Sequence, residues 1–391
     1  MTIEASSTAT ARRRLRLGMV GGGRGAFIGA VHRIAARLDD RYELVAGALS
    51  SDPERALASA DDLLIAPDRA YADFADMARM EAARPDCIDV VAIVTPNHLH
   101  FPAARAFLAA GIHVICDKPM TRTVAEAEAL ADLVEKSGLV FVLTHNYTAY
   151  PMVRQAKSMV ADGVLGKLRL VQVEYPQDWL TTAVEATGSK QAEWRVDPAR
   201  SGAGGSLGDI GSHAFNLAEY ISGLKVETLA ADLECFVPGR TLDDNANILM
   251  RFAGGAKGML WCSQVAPGNA NALKIRLYGE KGGLEWQQES PNTLLHTPFG
   301  EPPRLITRSG PGANAAAAHA TRVPSGHPEG YLEGFAQVYA DAAELISARL
   351  DKRAPDPAAL GVPTVHDGVR GVRFIDAAVR SGRANAGWTI V

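Results

Sequence analysis

The chain has 391 residues, 47% hydrophobic and 21% charged, with a formal net charge of -4. That length exceeds one small core and predicts two well-buried domains, while the ordinary hydrophobic content excludes extensive disorder. The scattering of basic residues in a slightly acidic chain excludes a nucleic-acid footprint, so no nucleic-acid partner is expected.

The one basic cluster is Arg12, Arg13 and Arg14 with Arg16. Residues 1–14 read as a disordered or extended tail. Twin arginines before an apolar stretch imitate an export signal, but Leu15 to Val20 is short and runs straight into Gly21-Gly22-Gly23-Arg24. It reads as a first strand. No window approaches the roughly twenty apolar residues of a membrane span, so no membrane partner is expected. Cys87, Cys116, Cys235 and Cys262 are dispersed with no C-x-x-C pair, which predicts reduced thiols and a cytoplasmic setting.

From Leu15 onward, short β-type runs alternate with helical stretches. The strands are Leu15 to Val20, Tyr42 to Leu49, Val90 to Val94, His113 to Cys116 and Val140 to Thr144. The helices between them are Ile28 to Arg37, Asp52 to Ser59, Pro102 to Ala110 and Val124 to Ser137. Such βαβ alternation predicts a parallel, doubly wound α/β sheet over 15–147.

The glycine run after the first strand gives a backbone that can turn tightly and meet a pyrophosphate at a helix N-terminus. Gly21, Gly23 and Ala26 fit one register of the dinucleotide fingerprint, with Arg24 inside it; Gly25 and Gly29 are predicted to allow close packing. Ser50-Ser51-Asp52 ends the second strand, where an acidic residue normally takes the ribose hydroxyls. Serine at that place leaves the choice between NAD and NADP open, with NAD favoured. Arg55 reads as a phosphate partner or, more commonly for such a position, a solvated helix residue.

After Tyr147 the pattern turns to alternating strands at Leu168 to Tyr175, Thr228 to Phe236, Ala246 to Phe252, Lys257 to Gln264 and Lys274 to Gly279. These predict an α+β second domain over 148–391 with a largely antiparallel, open sheet. Residues 291–328, rich in Pro, Gly and Ala, read as a long loop or wrapping excursion. Helices are expected at Tyr331 to Leu350 and Val369 to Ser381. His327-Pro328-Glu329-Gly330-Tyr331 reads as the start of the first of these, its polar side chains otherwise closing a cleft.

Chemistry concentrates in Gly204-Gly205-Ser206-Leu207-Gly208-Asp209-Ile210-Gly211-Ser212-His213 before an apolar run. On a helix, Asp209 and His213 share a face. A carboxylate beside an imidazole favours the charged ring and fixes its orientation, as a general base requires. For an isolated D-x-x-x-H, a plain helix contact is the commoner outcome.

Three further segments change that balance: Thr95-Pro96-Asn97-His98 after the third strand, Cys116-Asp117-Lys118-Pro119 after the fourth, and the Asp209/His213 segment itself. In this order the chain, from about Leu15 onward, resembles the Gfo/Idh/MocA oxidoreductases. The resemblance implies an N-terminal Rossmann domain that binds NAD or NADP, and a second domain whose open sheet forms homodimer or homotetramer contacts. It implies a sugar or cyclitol substrate. It places Thr95, Pro96, Asn97 and His98 on the cofactor side, makes Lys118 the catalytic lysine and sets Asp117 where the family usually has glutamate. His213 then takes the proton of a substrate hydroxyl as hydride leaves the same carbon, and Asp209 orients the ring or binds substrate.

Trp194 and Arg195 lie in a region that reaches the cleft in relatives, Arg195 as a donor and Trp194 as an apolar wall or as core. His145-Asn146-Tyr147 ends the fifth strand; Asn146 and Tyr147 suit a polyol, although Asn146 equally caps a turn. Two alternatives keep the fold: a redox-assisted glycosidase that oxidises, eliminates and reduces again, and a non-catalytic nucleotide sensor. No metal is expected, because Asp209 and His213 have no third spaced ligand.

Overall fold

The computed structural model describes residues 13–391. Most of the expected tail, 1–12, lies outside the described residues. Arg13 forms paired hydrogen bonds with Asp89 at 2.6 and 2.7 Å, and Arg14 pairs with Asp40, so these two arginines are tied to the residues that lead into the first sheet.

β1 (Leu15–Gly21), β2 (Tyr42–Ala48), β3 (Val90–Val94), β4 (His113–Cys116) and β5 (Phe141–Leu143) form a parallel sheet in the order β2-β1-β3-β4-β5. β3 and β4 are buried along their whole length, as strands covered on both faces must be. The order reverses direction between β1 and β3, and a crevice opens there beyond the strand ends. Gly21 and Thr95 sit at that point.

β6 (Leu168–Pro176), β7 (Val226–Glu234), β8 (Asn245–Phe252), β9 (Lys257–Ser263), β10 (Lys274–Gly279), β11 (Gly282–Gln287), β12 (Thr293–Pro298), β13 (Arg304–Thr307) and β14 (Thr389–Ile390) form the second sheet. Its order is β13-β12-β11-β10-β6-β9-β8-β7-β14, antiparallel except where β6 pairs with β9. β8 alternates buried Ala246, Ile248, Met250 and Phe252 with outward residues, the mark of a sheet covered on one face. Helices Pro151–Ala161, Ser212–Ser222 and Val365–Arg383 cover that face, and the rings of Phe215 and Phe374 stack at 4.2 Å. The other face exposes Leu170, Leu249 and Met259.

The expected loop at 291–328 is in part sheet. β12 and β13 extend the second sheet, with Gly300, Pro302 and Pro303 in the turn between them, while Gly310, Pro311, Gly312, Pro324, Gly326 and Pro328 fall after β13 in segments outside any strand. The rest is pinned by Arg308, which pairs with Glu329 at 2.9 Å, both side chains 2% exposed. Arg308 also donates to the carbonyls of Val323, Pro324 and His327. Helices Phe74–Ala82 and Pro151–Ala161 went unread in the sequence; the first is announced by Asp73, whose carboxylate accepts from Ala75 and Asp76 backbone N–H.

One helix, Tyr331–Leu350, follows the second sheet in sequence but packs on the first. Phe335, Val338, Ala342 and Ile346 join the core that holds Leu17, Val90 and Ile115. Its Asp341 pairs with Arg154 of helix Pro151–Ala161, whose apolar face belongs to the second core; the two side chains are 1% and 6% exposed. Asp341 also accepts from Gln337 and contacts His319 Nε2 at 2.8 Å. Among the described residues no helix is long and apolar enough to cross a membrane.

Removing one partner of a buried ion pair strands the other charge. Arg154→Met is expected to destabilise the fold by about 3–5 kcal/mol, read as a lower urea midpoint. An unchanged midpoint would show that the pair does not couple the two cores.

Candidate active site

A cleft of about 1210 Å³ opens between the C-terminal ends of β1 and β3 and the inner edge of the second sheet. Lining it are Gly21, Gly23, Arg24, Ala26 and Ser50; Thr95 through His98; Asp117 and Lys118; Asn146 and Tyr147; Trp194, Arg195, Asp209 and His213, whereas Gly29, His145 and His327, also singled out in the sequence, are not among its lining residues. The structure changes how several of them are engaged.

At the nucleotide end, a Cβ on Gly29 would stand 2.4 Å from Gly22 Cα, so the glycine pair lets helix Phe27–Leu38 abut the turn. Gly25, expected to serve packing as well, has nothing within 4 Å; its positive φ of 80° is what favours glycine there. Ala26 provides no side-chain cap and the first turn carries no acid, which leaves backbone N–H groups and the positive helix end open toward the cleft. Thr95 Oγ1, buried and unpartnered, lies beside this turn. These features fit a pyrophosphate-bearing dinucleotide.

Around the ribose position, Asp52 is engaged as a helix cap, accepting from Arg55 N at 2.8 Å, and Ser50 Oγ accepts from Asp52 N at 3.1 Å. Arg55, read as a solvated helix residue, lines the cleft beside Ser50 and Ser51. Arg24 pairs with Asp62 at 2.5 and 2.7 Å. Asn97 donates to Ser201 O at 2.9 Å across the cleft, and His100 bridges the strand-end turns through Pro119 O and Thr95 O at 2.8 and 2.9 Å.

The Asp209–His213 pairing expected from the four-residue spacing is not made. Leu207–Gly211 is a π-helical turn that precedes helix Ser212–Ser222. Its start is fixed by the half-buried Asp243 carboxylate, which accepts from Gly205 N, Ser206 Oγ and Leu207 N at 2.7–2.8 Å. A Cβ on Gly205 would meet Asp243 O at 2.1 Å. Asp209 Oδ1 accepts from Lys118 Nζ at 3.0 Å, and Oδ2 from Arg195 Nε at 3.1 Å and Gln264 Nε2 at 2.9 Å. Two cations and an amide are stronger partners for a carboxylate than one neutral imidazole.

Electrostatics follow from this arrangement. Burial alone would raise the Asp209 carboxyl, but Arg195 and Lys118 outweigh it and hold the group well below the usual carboxylate range. Burial pushes His213 well below the usual histidine value; Lys118 and His145 act the same way and Asp209 opposes them without prevailing. The ring is therefore neutral, not the charged ring that the sequence suggested, and a neutral ring can accept a proton.

The substrate half contains residues the sequence did not disclose. Tyr147 and Tyr175 hydroxyls meet at 2.6 Å, Tyr175 donates to Asn271 Oδ1 at 2.7 Å, and Gln177 donates to the same oxygen at 2.7 Å. Gln288 and Tyr331 complete this wall. The available signal was the polar residue just beyond an apolar strand, as at Tyr175-Pro176-Gln177. Asn146 Nδ2 is buried without a partner in this half, and Arg195 lies 4.3 Å from the centre of the Trp194 ring. His327 is exposed, so from its pentapeptide Tyr331 is the side chain in the cleft. Among the described residues, no group of three or more His, Cys, Asp or Glu is placed to hold a metal ion.

Comparison with known proteins identifies the family and the fold. Residues 15–145 match the model of an oxidoreductase family with an NAD-binding Rossmann fold, and residues 153–285 match a GFO/IDH/MocA C-terminal domain. An oxidoreductase from Sinorhizobium meliloti is 57% identical, with TM-score 0.88 over 96% of this chain and 99% of that one. An inositol dehydrogenase homolog from Azotobacter vinelandii, solved with NADH and myo-inositol, is 36% identical with TM-score 0.90, over 97% and 98% of the two chains. A levoglucosan dehydrogenase of Pseudarthrobacter phenanthrenivorans is 30% identical over 72% of this chain and 75% of its own.

Buried neutral histidines give the fold an acid sensitivity of definite sign. Burial lowers His32 and His113 to about 4 and His145 to about 3. Between those values and the unfolded value near 6.5, the unfolded chain binds more protons than the native one, so stability falls as pH drops. Melting temperatures are expected to decline steadily from about pH 6.5 to about pH 4. A flat profile across that window would contradict the assignment of neutral rings.

Proposed function

The chain belongs to the Gfo/Idh/MocA family as an NAD-binding, sugar/cyclitol dehydrogenase-like oxidoreductase, and from that premise we propose that it oxidises a secondary alcohol of an uncharged cyclitol or sugar. The observation that carries the reading is the convergence of Lys118 and neutral His213 in one cleft between a dinucleotide-fitting turn and a wall of amides and phenols.

The nicotinamide, when bound, accepts the hydride. Everything else falls to the chain. His213 takes the proton of the reacting hydroxyl, and Lys118 donates a hydrogen bond to that oxygen as negative charge grows on it. Asp209 fixes the Lys118 ammonium and, with Gln191, the Arg195 guanidinium. Asn146, Asn271, Gln177 and Gln288 supply neutral donors and acceptors to the remaining hydroxyls, which favours polyols over phosphorylated or carboxylated sugars. A relative solved with bound myo-inositol and another named levoglucosan dehydrogenase support this class of substrate. The exposed apolar positions on the outer face of the second sheet support self-association there.

A panel of cyclitols, free sugars, anhydrosugars and aryl glycosides, followed by nicotinamide absorbance with NAD and NADP, tests the reading. Polyol-dependent cofactor reduction is expected. His213→Ala is expected to lower kcat by about 10²–10⁴-fold while NADH still binds. Parent-like turnover in that variant, or aglycone release without net reduction in the parent, would overturn the proposal.

A further inference from the structure

With Asp209 committed to Lys118, Arg195 and Gln264, the orientation of His213 requires another source. We infer that His145 is the positioning residue of the site: its Nδ1, 3.5 Å from His213 Nδ1, holds the His213 ring in the tautomer that leaves Nε2 free to accept a proton. The inference rests on the proposed role of His213 as the proton acceptor.

The two rings meet edge to face, centroids 5.3 Å apart at 81°. Tyr147 packs on His213 at 4.9 Å and Tyr175 at 6.4 Å, so two further aromatic rings confine the imidazole. His145 is 2% exposed and His213 8%. The His145 backbone is fixed at the end of β5: its N–H donates to Leu143 O at 2.9 Å, and Thr148 Oγ1 donates to its carbonyl at 2.7 Å.

A neutral imidazole carries one N–H and one lone pair. Two Nδ1 atoms facing one another must therefore be one donor and one acceptor. Were His213 the acceptor, its proton would sit on Nε2, and the nitrogen left for a ligand could not take another. The productive arrangement has His213 Nδ1–H donating to the lone pair of His145 Nδ1, with the His145 proton on its own Nε2.

Charge does not disturb this pairing. The groups that act on His213 are Lys118 beyond β4, His145 beyond β5 and Asp209 on the π-turn, with the Tyr147 and Tyr175 phenols packed against it. Burial, reinforced by Lys118 and opposed by Asp117, lowers His145 to about 3, so it stays neutral, with one lone pair to offer, throughout the neutral range.

The test uses full-length His145→Phe, which keeps ring volume without an acceptor, and His145→Asn, whose Oδ1 restores one. Loss of a positioned base tautomer is expected to lower kcat in the Phe variant by about 10–100-fold, with KM and NADH affinity within about 3-fold of the parent, and Asn is expected to recover most of the loss. Nitrogen-15 histidine spectra of the parent, assigned by difference with His213→Ala, are expected to show His213 protonated at Nδ1 and bare at Nε2. Parent-like kcat in the Phe variant, equal impairment in both variants, or a His213 proton on Nε2 would overturn the inference. The spectrum decides the matter even if the Phe variant fails to fold. A parent that oxidises no polyol would refute the proposed function, whereas the tautomer signature is read without turnover.

Discussion

A buried carboxylate cannot remain ionised without partners, and Asp209 takes its partners from three separate parts of the chain. Lys118 comes from the end of a strand in the first sheet, Arg195 from the short helix before the glycine run, and Gln264 from beyond β9 in the second sheet. The cleft exists because these segments converge on one charge. Asn97 reinforces the convergence by donating to Ser201 across the same gap. The nucleotide-facing turns and the polyol-facing wall are thus held in register by polar contacts at the reacting centre itself, while the Arg154–Asp341 pair couples the two cores behind it.

That economy explains the π-helical turn. An ordinary helix start at Leu207 would leave the first N–H groups without partners. The Asp243 carboxylate satisfies the Leu207 N–H together with the Gly205 N–H just before the turn and the Ser206 hydroxyl, and Gly205 lets its backbone approach closely enough to do so. The turn then delivers the Asp209 backbone carbonyl as well as its carboxylate to Lys118. A π-turn at a functional position is a recurrent use of this otherwise unfavourable geometry.

The first sheet was legible because its strands are apolar runs punctuated by glycine and proline, and β4 and helix Val124–Ser137 fall where periodicity put them. The identity of the cleft residues was legible too, since strand-end motifs have fixed places in a doubly wound sheet. Their pairing was not. Sequence spacing relates Asp209 to His213 but carries no information on Lys118, Arg195 and Gln264, which stand 91, 14 and 55 positions away. For the same reason Tyr175, Asn271 and Gln288, drawn from three elements, gave no local signal. β12 and β13 were obscured by the Pro and Gly residues of their connecting turn and of the irregular segment after them, and helix Tyr331–Leu350 was legible as a helix but not as part of the first core.

Neutral His213 is a weaker base than an ordinary histidine, because the burial that removes its charge also opposes gaining one. Proton transfer from an alcohol to such a ring is uphill unless the oxygen is stabilised while the proton leaves. Lys118 answers this requirement by valence. Its ammonium has three N–H donors; Asp209 takes two, through Oδ1 and its backbone carbonyl, and one remains for a ligand oxygen. The carboxylate therefore makes no hydrogen bond with the histidine, on which it acts only through its charge. It acts on the lysine, fixing the direction of the last free donor and offsetting its charge, and the lysine in turn makes a weak, buried base sufficient.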